Sequence, residues 1–105
     1  MNIFIAGFLF AGLIFAGSAM ALDMPADGKA KCSMCHAIDT KKVGPAWKDV
    51  AAKYKGNPDA EKTLITHITK GGNFGWKIGS MPPRGMGAND AQIASLAKFI
   101  LGLNQ

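Results

Sequence analysis

Hydrophobic positions fall along this chain in two different patterns. From Ile3 to Phe15 they are nearly continuous, without one charged residue, and then soften into Gly17-Ser18-Ala19-Met20-Ala21. Beyond Asp23 they become periodic. Ile93, Leu96, Ala97, Ile100 and Leu101 recur at the spacing of one face of an amphipathic helix, and Asn89-Asp90-Ala91-Gln92 before them resembles a capping box. Leu64, Ile65 and Ile68 mark one face of an earlier helix. Asn57-Pro58 is expected to start it, as a cap followed by proline at the first helical position, and Gly71-Gly72 is expected to stop it near Lys70. Ala46 to Tyr54 reads as a helix ended by Gly56. Asp23 is expected to cap a short first helix through Pro25 and Ala26, reaching the cysteines. No segment alternates as a strand does. Between the last two helices lies a glycine-rich stretch from Gly71 to Gly87, long for a compact domain and therefore expected to be functional. The predicted fold is all-α: one domain of about four short helices, without repeats or low-complexity linkers.

The two patterns divide the chain. The apolar start has the small-x-small ending of a signal-peptidase site, with Ala19 and Ala21 in the recognition positions. Residues 1–21 are therefore expected to be a cleaved signal peptide, and 22–105 the mature domain. The alternative is an uncleaved membrane anchor, since the run approaches the ~20 residues that span a bilayer. All 12 Lys and Arg and all 7 acidic residues lie in the mature part, which is basic. Basic charge suits acidic partners. Nucleic acid is not expected as a partner, because the lysines are scattered and export removes the opportunity. A domain this small has a marginal core, so a disulfide, a metal or a large cofactor should supplement it.

The only two cysteines choose among these. They lie in Cys32-Ser33-Met34-Cys35-His36. A disulfide would close a tight loop more typical of redox-active pairs than of staples. A structural zinc site wants four protein ligands, and the distant His67 is the only other histidine or cysteine. The pentapeptide matches covalent attachment of c-type haem. Two thiols two residues apart on a helical turn reach the two vinyl groups on one edge of a haem, and the adjacent imidazole projects to the iron as the proximal ligand. One covalent haem c is expected, on Cys32 and Cys35, with His36 on the iron.

For the sixth ligand, Met34 lies inside the attachment loop and Met24 lies too near it. Met81, Met86 and His67 remain, or an open site. Met81 is expected, because Pro82 and Pro83 stiffen the chain after it and reduce the entropy lost in presenting the thioether. Met86 lies between glycines, and His67 lies within a helical pattern.

These residues resemble a known family. Cys32 to Thr40, Val43-Gly44-Pro45-Ala46-Trp47-Lys48-Asp49-Val50-Ala51, Trp76, and Ser80-Met81-Pro82-Pro83 are similar to the small bacterial class I cytochromes c of the cytochrome c-551 type. The similarity covers nearly all of the mature chain. It implies a periplasmic monohaem electron carrier, not an enzyme, with His36 and Met81 as axial ligands. It also implies that the Pro45 carbonyl accepts a hydrogen bond from the His36 ring, that Trp76 donates to a haem propionate, and that His67 lies near a propionate. The partners it points to are nitrite reductases, terminal oxidases and a membrane quinol-oxidising complex, met by a monomer. Lys31, Lys41, Lys42 and Lys77 are candidates for steering acidic partners. The chain differs from the family in having no aromatic residue in its first helix, and in having Arg84 where an amide often follows the methionine. A haem protein with an open distal site and a membrane-tethered subunit of a reductase or oxidase are the rival readings.

Overall fold

The computed structural model describes residues 23–104. The apolar leader, and with it the signal-peptide expectation, lies outside those residues. Four helices follow in order: α1 (Ala26–Lys31), α2 (Trp47–Lys53), α3 (Ala60–Lys70) and α4 (Asp90–Gly102). Among the described residues there is no strand, only two isolated bridges, His36 with Lys41 and Gly72 with Met81. None of their helices is long and apolar enough to cross a membrane.

The longest helix begins where its sequence signals it. The Asn89 side chain accepts from the Gln92 backbone N–H, and the Gln92 side chain accepts from the Asn89 N–H, each at 2.9 Å. Two otherwise orphaned donors are satisfied reciprocally. The Gln92 amide also donates to Asp27 Oδ1 at 3.0 Å, tying α1 to the start of α4.

Two helix starts differ from expectation. The third begins at Ala60, not at Pro58. Asn57 Oδ1 accepts from the Asp59 N–H at 2.8 Å and the Asn57 carbonyl from the Ala60 N–H at 3.1 Å. The asparagine thus closes a turn, and Asp59 becomes the N-cap. Asp23 does not cap α1. Pro25 holds that position without a side-chain bond, and its carbonyl accepts the first helical bond, from Lys29 at 2.9 Å.

All of the first three helices pack on α4. Ile93 and Leu96 of α4 are fully buried, each removing enough apolar surface to contribute about 1.5–3 kcal/mol. Around Leu96 gather Ile38, Trp47, Val50, Ala51, Leu64, Ala97, Ile100 and Leu103. A smaller cluster joins Ile93 to Ile68 and Ala88, with Met81 packed against it. The aromatic residue that α1 lacks is supplied from α2. Trp47 Cη2 lies so near Gly28 that a Cβ there would stand 2.9 Å from it. The same indole meets Phe99 of α4 edge-on, with centroids 5.8 Å apart. Trp47 therefore bridges α1 and α4.

Candidate functional site

The helices leave an apolar cleft, partly open to solvent, of the concave and mostly apolar kind that ligands and cofactors occupy. The chain builds it from five stretches, of which one runs from Val43 to Tyr54 and includes Gly44, Pro45 and Trp47. Cys32, Cys35 and His36 arrive on the turn that follows α1. Leu64, His67 and Ile68 of α3, with Leu96 and Ile100 of α4, form its apolar floor. The glycine-rich segment after α3 contributes Gly72, Phe74, Trp76, Ile78, Ser80 and Met81.

Local hydrogen bonds explain how the first wall is shaped. The Cys32 carbonyl accepts from the N–H groups of Cys35 and His36, at 3.1 and 2.9 Å, which folds the pentapeptide into one turn. The two cysteines form no disulfide with each other, and both line the cleft. Burial, and secondarily Cys35, pushes the Cys32 thiol above its ordinary value.

The His36 ring is held by its neighbours. Nδ1 lies 2.8 Å from the Pro45 carbonyl. Since that oxygen only accepts, Nδ1 carries the proton and Nε2 is left with its lone pair free for a metal. Gly44 packs flat against the imidazole. A Cβ there would fall 2.5 Å from Cε1 and 2.9 Å from each ring nitrogen. The glycine is needed because the ring occupies the space of a side chain.

The other wall is fixed through the backbone. Gly72 and Met81 exchange both of their backbone hydrogen bonds, each at 2.9 Å. Gly71, at φ 66° and ψ −180°, turns the chain out of α3 so that this pair can form. A Cβ at Gly71 would stand 2.5 Å from the Met81 carbonyl oxygen and 2.6 Å from Pro83 N. Met81 thus enters the cleft from a closed loop, and the Pro-Pro unit seats directly on the end of α3.

Of the other residues singled out in the sequence, Trp76, Pro45 and His67 line the cleft, whereas Met86 lies outside it and is 52% exposed. The His67 imidazole stacks on Phe74, with centroids 3.7 Å apart and 7° between planes, and Tyr54 meets it edge-on. Burial first, and Lys53 second, holds His67 below its ordinary value near 6.5. The Arg84 guanidinium turns to the start of α4, 2.8 Å from Asp90 and 3.3 Å from the Ala88 carbonyl. None of Lys31, Lys41, Lys42 and Lys77 lines the cleft. Lys42 is exposed, and its ammonium donates to the Ser33 carbonyl at 2.6 Å, which braces the attachment turn without neutralising the charge.

Sequence reasoning overlooked Gly44, Lys53 and Phe74. The signal for Phe74 was available: an aromatic residue amid glycines in a loop has a reason to be there. Gly44 was read only as a chain break before Pro45.

The residues fit a covalent haem on this chain's own evidence. Two cysteine sulfurs, a tautomer-fixed imidazole and the Met81 residue all line one apolar cleft, and no group of three or more His, Cys, Asp or Glu able to hold a bare metal ion occurs among the described residues. Comparison with known proteins decides the family. The family model for cytochrome c matches residues 26–104. The chain is a small class I cytochrome c. It is 45% identical to cytochrome c-551 of Pseudomonas aeruginosa, over 89% of this chain and 88% of the relative. It is 42% identical to cytochrome c-552 of Hydrogenobacter thermophilus, over 89% and 87%. The crystal structure of wild-type Nitrosomonas europaea cytochrome c552 superposes with a TM-score of 0.68 at 41% identity, covering 73% of this chain and 95% of that one. A cytochrome c of this family carries electrons on one covalently bound haem c and is not an enzyme.

Proposed function

We propose that this cytochrome c is a periplasmic one-electron carrier whose haem is bonded to Cys32 and Cys35 and ligated axially by His36 and Met81. The observation that carries the reading is the Nδ1–Pro45 bond at 2.8 Å, which leaves Nε2 of His36 as the free donor in a cleft that Met81 also lines. The bound haem supplies a ferric–ferrous couple. The protein's part is to hold that couple ready. Pro45 fixes the tautomer and orientation of His36 and makes it a better donor. The Met81 thioether, a soft ligand, favours the ferrous state and raises the potential, as does an apolar lining that excludes water. With His36 and Met81 both holding the iron, no coordination site would be left for a substrate, which suits a carrier.

Trp76 would donate its indole N–H to a propionate at the rim of the cleft. His67 lines the same cleft, and its protonation would tune the potential. Export is supported by the uncharged run ending at Ala19-Met20-Ala21, with Leu22 as the mature N-terminus. Partners would be acidic redox proteins met by a monomer: a nitrite reductase or terminal oxidase as acceptor, a membrane quinol-oxidising complex as donor. Lys31, Lys41, Lys42 and Lys77 would steer their approach at low salt.

Attachment is tested by denaturing electrophoresis of protein made with a working haem-attachment system. The haem should migrate with the polypeptide, and should be lost from a Cys32→Ala, Cys35→Ala double variant. A wild-type chain that migrates free of haem would refute covalent binding.

A further inference from the structure

Residues 73–80 form the wall that ends at Met81, yet they have little to hold them. Among the described residues, no backbone hydrogen bond links this segment to the rest of the protein. Its one local bond runs within it, from the Gly75 N–H to Asn73 Oδ1 at 2.9 Å. Gly75 and Gly79 take positive φ, and so does Lys77. Such a segment is expected to open readily.

Among the described residues, a single side chain crosses to it with a hydrogen bond. Lys53, the last residue of α2, donates from Nζ to the Phe74 carbonyl at 3.0 Å. The same ammonium lies 4.5 Å above the centre of the Trp76 ring and 5.9 Å from that of Tyr54. One cation therefore grips two residues of the loop, while Phe74 is stacked from the other side by His67 of α3. Most surface lysines do neither. Lys55, two residues on, is exposed and makes no side-chain hydrogen bond or ring contact among the described residues.

We propose that Lys53 is a positioning residue: a clasp that fastens the 73–80 segment to α2 and so keeps Met81 in the cleft. It acts through the Phe74 carbonyl and the Trp76 ring, and touches neither Met81 nor the attachment turn. The clasp does not depend on which side chain ligates iron, because its direct consequence is the lifetime of the Gly72–Met81 backbone pair.

The test is amide hydrogen exchange, followed by NMR on the ferrous holoprotein. Lys53→Leu keeps part of the aliphatic stem and removes the donor and the charge. The Gly72 and Met81 amides should then exchange about 5- to 30-fold faster, the factor expected for one hydrogen bond and one ring contact. The Ile93 and Leu96 amides of α4 should be unchanged, which marks a local opening. Lys53→Arg, which can still donate and still cover the indole, should stay within about twofold of wild type. Lys55→Leu, which removes an equal charge, should leave Gly72 and Met81 as they are. Unchanged exchange in Lys53→Leu would overturn the proposal. So would an equal rise in α4, or an equal effect of Lys55→Leu, since each would assign the effect to global stability or net charge.

Discussion

Gly72 and Met81 are joined as a two-residue antiparallel bridge, each accepting the other's N–H at 2.9 Å. The pair places the candidate sixth ligand directly beside the end of α3, so the helix terminus and the far wall of the cleft are mechanically one unit. Gly71 makes the unit possible, because its φ of 66° with ψ of −180° lies in a region other residues rarely adopt.

Gly71→Ala should therefore damage the site as well as the fold. The strain is about 1–3 kcal/mol, and the new Cβ meets the Met81 carbonyl and Pro83 nitrogen besides. Denaturant unfolding of the holoprotein should show at least that loss, with weakened sulfur–iron absorption in the ferric state. Gly56→Ala is the control. Its φ is 78° but nothing lies within 4 Å of the added carbon, so it should cost about 1–2 kcal/mol and leave the spectrum alone.

On the opposite wall, Gly44→Ala puts a methyl group into the space of the His36 ring. The ring must move, and the Nδ1–Pro45 bond breaks with it. The yield of haem-loaded protein should fall severalfold while transcript and export are unchanged. A normal yield with an unaltered Soret spectrum would contradict the packing described.

The His67 titration has a defined sign. Burial and the Lys53 cation lower the folded-state value below about 6.5, so the unfolded chain binds the proton first as pH falls. The stability associated with His67 is fully present above the unfolded value and declines as pH drops through it, levelling off below the folded value. The potential should rise over that same acid window, because an imidazolium near the haem disfavours ferric charge. His67→Gln should remove both slopes. A flat potential in the wild type, or a slope that survives the substitution, would eliminate the role.

Helix α4 offers a purely structural test. Asn89→Ala removes one half of the capping box and should cost about 1 kcal/mol in urea unfolding. Leu96→Ala removes a fully buried side chain that also floors the cleft, and should cost about 2–5 kcal/mol. If the Asn89 variant is the more damaging of the two, the packing hierarchy is misread.

The helical skeleton was legible because periodicity and capping act locally. Of Ile93, Leu96, Ala97, Ile100 and Leu101, expected on one face, the first four are buried and Leu101 is half-buried, and the Asn89–Gln92 capping box forms as expected. Boundaries failed where a side chain competed with the helix for a backbone donor, as Asn57 does with the Asp59 N–H. The chemistry of Cys32 to His36 is equally local, since it lies within one turn. What could not be read were contacts made across the chain: Trp47 over Gly28, Gly44 beneath His36, Lys53 on the loop beyond α3. Each depends on tertiary placement that no local spacing encodes. The tying of Lys42 to Ser33 is of the same kind.

The ligation of iron by Met81 is tested most directly by the ferric absorption spectrum, whose weak band toward the red marks sulfur–iron bonding. Wild-type protein and Met86→Ala should both show the band. Met81→Ala should lose it, bind external ligands such as imidazole, and have a markedly lower potential, because a soft ligand that favours ferrous iron is gone. A band that disappears in Met86→Ala and persists in Met81→Ala would contradict the assignment, as would a wild-type protein that lacks the band and takes up carbon monoxide readily when reduced.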